Sequence, residues 1–221
     1  MLICVFVCII VQATNQWVGI KMIITITGQK GGTKKTTTAL NVGQMLNASA
    51  IVDLETNSSI DVINNLRENP LNVVKFNSNE KLAQFLVSVK ASEVVIIDCG
   101  GYDSDMANIA MEAADTIIIP ITEGVTDRNG LISTQRKFEM LDIEHKAIVF
   151  PNGEHHAKKH FSKLEEIVSL LPDMIFRKDL AIPQCAYVRD AAEAGLSIAE
   201  FNKHCNSYRA YKRLCDELVP F

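Results

Sequence analysis

A loop rich in glycine, lysine and threonine is the segment of this sequence with the clearest capacity for chemistry. Residues 28–38 read GQKGGTKKTTT and directly follow the apolar run MIITIT at 22–27. Glycines let backbone N–H groups approach an anion closely, and a helix that begins after them adds a favourable dipole. In that interpretation Lys35 reaches the β- and γ-phosphates of a nucleotide, Thr36 contacts Mg²⁺ and Thr37 meets an α-phosphate oxygen.

The strict phosphate-loop pattern GxxxxGK[ST] is not met. Counting back from Lys35, the two glycine positions hold Gln29 and Lys34. A lysine-rich turn between a strand and a helix, with no ligand, is therefore the alternative interpretation. The order of strand, glycines, lysine, threonine and helix favours a phosphate site.

Two further strands end in carboxylates. The segment V52-D53-L54-E55 closes one apolar run, and VVIIDCGG at 94–101 places Asp98 at the end of another. Their proximity to the phosphate loop favours a functional site. Asp53 and Glu55 could instead be simple strand-end caps.

The octet from Lys30 to Thr37, KGGTKKTT, resembles the deviant Walker-A motif KGGxGKT[ST] of the ParA/MinD family of partition and positioning ATPases. The resemblance implies ATP or ADP and Mg²⁺ as cofactors and ATP hydrolysis as the activity. It implies that an early lysine, here Lys30, crosses a nucleotide-bound dimer to the partner's phosphates, much as an arginine finger does. The implied catalytic residues are Lys30, Lys35, Glu55 and Asp98, and the implied Mg²⁺ residues are Thr36, Asp53, Glu55 and Asp98.

The implied nucleotide contacts extend along the whole loop and to one later strand. Asn152 matches roughly the position at which the family contacts adenine, and the TIIIPITEG segment with Asp127 resembles a loop at the nucleotide and dimer interface. Both could equally be turn residues. The full set of implied nucleotide-binding residues is Lys30, Gly31, Gly32, Thr33, Lys34, Lys35, Thr36, Thr37 and Asn152.

Two residues depart from the family pattern. Lys34 stands where the family has glycine, and it would be tolerated best if its φ were negative. Glu55 stands where the family has a second aspartate, so reach is preserved but positioning changes, and a shift of about 1 Å can cost on the order of 10²-fold in rate. Both departures bear on turnover more than on fold.

The elements that must position these residues alternate between strands and helices. The sequence predicts strands at 22–27, 50–54, 73–76, 94–98, 116–121, 147–150 and 174–176. It predicts helices at 36–46, from 58 or 59 to 66, from Asn79 to about 89, from Asp103 or Ser104, and at 127–141, 158–171 and 202–218, with a turn at Pro151-Asn152-Gly153. Continuous apolar strands alternating with helices indicate a doubly wound, mostly parallel α/β sheet flanked by helices.

The resemblance also implies partners. Partition ATPases of this kind dimerise on ATP, bind DNA non-specifically and act with a ParB-like centromere-binding protein in the cytoplasm, on the nucleoid. A candidate DNA patch follows from the basic residues on or near the predicted C-terminal helix, where a solvated helix face is the plainer alternative. That patch comprises Arg189, Lys203, Arg209, Lys212 and Arg213, with His204 beside them.

Composition sets the remaining limits. The chain has 221 residues, 48% of them hydrophobic, and a formal net charge of −4, so any binding to nucleic acid must come from a local basic patch. Six cysteines without a CxxC pair favour a reduced, cytoplasmic protein, and the closely spaced His155, His156 and His160 are better explained by a solvated surface than by metal. The length fits one domain from 22 to 221.

The first 21 residues stand apart. Residues 2–11 form an unbroken apolar run that is too short to span a membrane with confidence, so no stable membrane insertion is expected. A mis-assigned start at Met22, a membrane-associating tail and a secretory signal are the three interpretations, and a nucleotide switch argues against the last.

Three functions remain open at this point. The first is a DNA-segregation ATPase. The second is a dimerising nucleotide-binding module with little or no hydrolysis, and the third is a MinD-like positioning ATPase held to a membrane by residues 2–11.

Overall fold

A parallel β-sheet forms the centre of the molecule. The computed structural model describes residues 21–28, 32–55, 59–100, 104–143 and 147–219. Seven strands lie in the order β3-β2-β4-β1-β5-β6-β7, an eighth pairs with β6, and every strand pairing within these ranges is parallel. The strands are β1 (Met22–Ile26), β2 (Ala50–Asp53), β3 (Val73–Val74), β4 (Val94–Asp98), β5 (Thr116–Ile121), β6 (Ala147–Glu154), β7 (Met174–Phe176) and β8 (Ile182–Pro183).

Helices connect the strands and cover both faces of the sheet. They are α1 (Lys35–Met45), α2 (Ser59–Asn64), α3 (Asn79–Ser88), α4 (Asp105–Glu112), α5 (Val125–Leu141), α6 (Ser162–Ser169), α7 (Ala186–Glu193), α8 (Ile198–Phe201) and α9 (Asn206–Leu218), with a 3₁₀ turn at Lys178–Leu180. The predicted doubly wound α/β class is confirmed.

Burial explains why these apolar runs became central strands. Every residue of β1 and of β4 is buried, so both faces of each strand are covered. On one face α1 and α9 pack onto the sheet around Ile24, Ile96 and Tyr211. On the other face α3 and α4 cover Ile23, Val95 and Ile97, whereas α5 and α6 cover the β5–β6 half.

Serine side chains fix several helix starts. Ser78 accepts from the backbone N–H of Lys81 and Ser104 accepts from that of Ala107, so each is an N-cap. The sequence favoured Asn79 as the cap of its helix, so that cap lies one residue earlier than predicted, at Ser78. The alternative start at Asp103 lies outside the described residues.

Strand β6 is longer than predicted, and the predicted turn at 151–153 is wrong. The strand runs on through Glu154 because β8 supplies a partner, pairing Ile182 with Asn152. Gly153 has a φ of 82°, and the register shifts there. Pairing to a distant two-residue strand leaves no local signal in the sequence.

The C-terminal quarter also differs from prediction. The last helix begins at Asn206 rather than at 202, so Lys203 and His204 precede it. Helices α7 and α8 were not predicted from the apolar pattern, because each is short and α7 buries only Ala191. The predicted helix at 158–171 is confined to Ser162–Ser169. Within the described ranges, no helix is long and apolar enough to cross a membrane.

Candidate functional site

The glycine-lysine loop joins the carboxyl end of β1 to the first turn of α1. Gly32 has a φ of 88°, and Thr33 is buried. Lys30 and Gly31, two of the predicted nucleotide contacts, lie outside the described residues. The remaining loop residues thus stand where a helix N-terminus can meet an anion.

Lys35 is a buried cation in the first turn of α1. This residue begins the helix and is only 5% exposed. Desolvation lowers its pKa, while the nearby carboxylates of Asp98 and Glu55 oppose that shift. A buried ammonium close to carboxylates and at a helix start is placed to receive a phosphate.

Lys34 has the left-handed backbone that glycine usually adopts. Its φ is 65° and its ψ is 34°, so the negative φ at which a lysine would be tolerated best is not adopted. A Cβ added to Gly153 would lie 2.8 Å from Cε of Lys34, which shows that the lysine stem crosses the face of that glycine. Burial lowers the pKa of the Lys34 ammonium. The absent side chain of Gly153 makes room for the unexpected one at 34.

The carboxylates that end β2 and β4 meet beside the loop. Asp53 and Asp98 are register partners on adjacent strands. The Thr36 hydroxyl lies 3.4 Å from Oε2 of Glu55, and the backbone N–H of Glu55 donates to Oδ1 of Asp53 at 2.9 Å. The structure therefore brings together Thr36, Asp53, Glu55 and Asp98, the set predicted to hold Mg²⁺.

Asp98 is the most electrostatically unusual member of this group. Its side chain is 1% exposed, and neither carboxylate oxygen makes a well-aligned hydrogen bond within the described residues. Burial raises its pKa to about 7, reinforced by the charges of Glu55 and Asp53 and opposed by Thr36 and Lys35. A buried carboxylate short of donors fits a nearby cation or metal-bound water.

Asp53 is engaged differently. Its Oδ2 lies 3.2 Å from Nζ of Lys75, so its charge is already balanced from the side of β3. It also orders the backbone at Glu55. No group of three or more His, Cys, Asp or Glu side chains is arranged to hold a metal in the described part of the chain. Asp98 and Thr36 offer one carboxylate and one hydroxyl, which suits Mg²⁺ because this ion typically takes one or two carboxylates, water and substrate phosphates.

A cavity of about 390 Å³ opens beside the loop. It is called here the β8–α7 cavity, after the segment from β8 to α7 that supplies most of its wall. Asn152 is 1% exposed at its wall and donates to the Thr38 hydroxyl at 3.1 Å, which ties β6 to α1. The sequence missed most of the remaining wall, because it comes from β8 and α7. The lining residues are Lys34, Thr37, Asn152, Ile182, Pro183, Gln184, Cys185, Ala186, Val188, Arg189, Ala192 and Tyr211.

Asp127, at the start of α5, is 6% exposed and faces the same end of the sheet. Thr122 donates its hydroxyl to Asp127 and accepts from the Gly124 N–H at 3.3 Å. The charge of Asp127 is also close enough to raise the pKa of Lys35. Thr122 had no signal of its own in the sequence.

The five residues of the predicted DNA patch differ in their surroundings. Arg189 lines the β8–α7 cavity and pairs with Asp190 at 3.2 Å, and Lys212 pairs with Asp216 at 2.7 Å. Arg209 and Arg213 line a second, basic cavity. Lys203 lies exposed before that helix.

No protein-family model matches the chain, and no curated protein matches it. Solved structures do match. McdA from Cyanothece aligns with a TM-score of 0.70 at 17% identity, over 91% of this chain and all 100% of that one. The chain has the fold of the ParA/MinD ATPases.

Two further structures extend that comparison. A plasmid partition protein of Borrelia burgdorferi bound to AMPPNP aligns with a TM-score of 0.67 at 16% identity, over 90% of this chain and 98% of that one. MinD of Aquifex aeolicus, in complex with MinC, aligns with a TM-score of 0.67 at 19% identity, over the same shares. At these identities the likeness concerns the fold.

Proposed function

We propose that this protein is a positioning ATPase that binds ATP with Mg²⁺ at the β1–α1 loop and hydrolyses it slowly. The observation that carries the proposal is a buried lysine in the first turn of α1 whose charge acts on a buried, poorly bonded carboxylate at the end of β4. Lys35 and Asp98 are 5% and 1% exposed, and Thr36 stands beside them. Solved neighbours with this fold include structures with ATP, AMPPNP and Mg-ADP.

Each residue has a proposed part in the reaction. Lys35 and the loop N–H groups hold the phosphates and stabilise charge as it develops on the γ-phosphoryl group. Thr36 and Asp98 would hold Mg²⁺, directly or through water, and Glu55 would orient the attacking water. Lys30 from a partner subunit adds a second cation. Mg²⁺, when bound, neutralises the β- and γ-phosphate oxygens.

In this proposal the β8–α7 cavity completes the nucleotide site by receiving the nucleobase. It adjoins Thr37 and Asn152, and its volume of about 390 Å³ lies within the range of about 300–1,000 Å³ for small-molecule sites. The aliphatic wall of Ile182 and Pro183 suits the face of a purine. Asn152 itself is committed to Thr38, so it orders the cavity wall more than it reaches into it.

The specific process proposed for this ATPase is DNA segregation. We propose that ATP binding joins two copies, that the dimer binds DNA non-specifically on the nucleoid, and that a ParB-like protein stimulates turnover. Supporting this, one solved neighbour is described as a plasmid partition protein. Exposed cations at Lys203, Arg209 and Arg213 provide phosphate contacts.

A second candidate is a nucleotide-binding dimer without appreciable hydrolysis. The specific observation is Lys34, whose left-handed backbone and half-buried side chain occupy the loop where the family has glycine. Glu55 has a longer side chain than the family's aspartate, and its Oε2 lies 3.4 Å from the Thr36 hydroxyl. Misplaced water at this site would reduce turnover and leave binding intact.

One experiment separates these candidates. ATP binding and phosphate release are measured with full-length protein and Mg²⁺, with and without a DNA duplex, for the natural sequence, Lys35→Ala and Lys90→Ala. Lys90 is an exposed lysine remote from the site and serves as the matched control. The proposal predicts slow hydrolysis that Lys35→Ala abolishes and Lys90→Ala preserves.

The other outcomes are equally informative. Tight binding without phosphate release, with turnover recovered in Lys34→Gly, supports the second candidate. Absence of ATP binding by a folded natural protein overturns both.

A further inference from the structure

A second cavity, distinct from the nucleotide site, concentrates positive charge. This basic cavity has a volume of about 530 Å³ and lies between the segment after β6, the 3₁₀ turn and α9. It is separated from the β8–α7 cavity by β8, whose Ile182 and Pro183 line both cavities. Its lining residues are Glu154, His155, His156, Lys158, Lys159, Phe161, Lys178, Asp179, Ala181, Ile182, Pro183, Asn206, Arg209 and Arg213.

The lining carries five lysines and arginines against two acids, in a chain whose net charge is −4. Both acids are already engaged, since Glu154 pairs with Lys158 at 2.9 Å and Asp179 pairs with Arg177, outside the lining, at 2.8 Å. Among the described residues no carboxylate forms an ion pair with Lys159, Arg209 or Arg213. Lys178 also pairs with Glu165, at 3.0 Å. Three of the five lining cations, Lys159, Arg209 and Arg213, therefore have no carboxylate of the described residues within ion-pair distance.

These cations are held by ordered backbone. Arg209 and Arg213 are four residues apart on α9, so they share one face on successive turns. The neighbouring Tyr211 and Leu214 are buried in the core, which fixes the rotation of the helix. The Ser207 hydroxyl donates to the Pro183 carbonyl at 3.2 Å, which joins α9 to the dividing strand.

The opposite wall supplies further donors beside apolar surface. The rings of His155 and His156 lie 4.3 Å apart between centroids. Lys158 is held by Glu123 at 3.0 Å as well as by Glu154, and its ammonium lies 5.4 Å from the centre of the buried Phe161 ring. Apolar surface next to N–H donors strengthens their attraction for an anion.

We propose that the basic cavity binds a small phosphate-bearing anion, such as a free phosphate or diphosphate group. Guanidinium, ammonium and imidazole N–H groups are the donors that phosphate oxygens prefer, and arginine meets them with a fixed fork of donors. The cavity volume suits a small ligand. A DNA duplex presents the same chemistry and is the competing source. This proposal does not rest on ATP hydrolysis.

The test uses inorganic pyrophosphate and full-length protein carrying Lys35→Ala, so that binding at the phosphate loop is weakened. Calorimetric titrations compare this background with two doubly substituted versions of equal charge change. One adds Arg209→Gln and Arg213→Gln, in the cavity. The other adds Lys203→Gln and Lys212→Gln, near or on the same helix and outside the lining. Circular dichroism checks that each version is folded.

Pyrophosphate affinity is expected to fall about tenfold or more in the cavity version and to stay within about twofold in the control. Lys159→Gln, in an exposed segment, gives a second test at low risk to folding, with a smaller loss expected. Equal losses in cavity and control versions, or no binding in the background, overturn the proposal. So does a loss confined to binding of a short DNA duplex, which would assign these residues to nucleic acid.

Discussion

At the scale of single residues, the site departs from ordinary chemistry at Lys34 and Asp98. One holds a left-handed backbone without being glycine, and the other is a carboxylate buried with few donors. Each costs free energy in the protein without ligand, on the order of 1–3 kcal/mol for backbone strain. Such costs are commonly found where a ligand is bound.

Replacing Lys34 by glycine is expected to raise the free energy of unfolding by about 1 kcal/mol. Glycine removes the cost of a left-handed backbone, which is about 1–2 kcal/mol. Roughly half of that gain is offset because glycine loses more conformational entropy on folding. Urea unfolding of the protein without nucleotide measures the change. Lys81→Gly, in helix α3, is the control and should destabilise the protein instead. A destabilised Lys34→Gly protein would show that the lysine stem over Gly153 outweighs the strain.

Asp98→Asn is expected to stabilise the nucleotide-free protein in a pH-dependent manner. The folded pKa of Asp98 is about 7 against an ordinary 3.8, so the folded state binds more protons between these values. Stability of the natural protein therefore falls as pH rises from about 4 to about 7 and then levels off. The advantage of asparagine should be larger at pH 8 than at pH 5 by about 2–3 kcal/mol.

Urea unfolding at several pH values without Mg²⁺ measures that advantage. A gain from Asp98→Asn that is the same at low and high pH would contradict a raised pKa. Added Mg²⁺ and ATP should reverse the ranking, since the charged carboxylate is the form that holds the ion.

At the scale of elements, α1 is the hub because it carries the phosphate loop and receives the C-terminal segments. Asn41 in its middle is 4% exposed and accepts from the Ile198 backbone N–H at 2.7 Å while donating to the Thr37 carbonyl at 2.7 Å. One turn on, Gln44 accepts from the Ser197 hydroxyl at 3.1 Å. The N-cap of α8 is thus bonded directly to the nucleotide-site helix.

Asn41→Ala should lower the free energy of unfolding by about 1–3 kcal/mol. The substitution leaves the buried N–H of Ile198 without its acceptor, and that loss is larger than the value of an average hydrogen bond. Thermal or urea unfolding measures it. Asn65→Ala, at an exposed position after α2, changes the same side chain and should stay within about 0.5 kcal/mol. Similar effects at both positions would argue that the contact with α8 is weak.

The sequence predicted elements best where burial left a periodic pattern. The apolar runs of β1, β4 and β5 were placed within one residue, and the strand-end acids converged as expected. What failed depends on distant pairing or on backbone angles. The extension of β6 needs β8, some thirty residues away, and the left-handed state of Lys34 depends on the space left by Gly153. Neither has a local signature.

At the scale of the whole molecule, charge is distributed unevenly. A net charge of −4 coexists with cations along the C-terminal segments, so any attraction to DNA must be local. Two of the predicted patch residues form ion pairs, Arg189 with Asp190 and Glu193, and Lys212 with Asp216. Lys203, Arg209 and Arg213 form no ion pair within the described residues, which leaves three cations per chain.

The salt dependence of DNA binding tests this distribution. If those three cations each meet a phosphate, the logarithm of affinity should fall with the logarithm of salt at a slope of about −3 per chain, roughly doubled in a dimer. Lys203→Gln should reduce the slope by about 1 per chain, whereas Arg189→Gln should leave it almost unchanged because that guanidinium is already paired. Fluorescence anisotropy of a labelled duplex with ATP and Mg²⁺ measures both. Equal reductions from the two substitutions would mean that the ion pairs at Arg189 open on DNA, and binding insensitive to salt would exclude the patch.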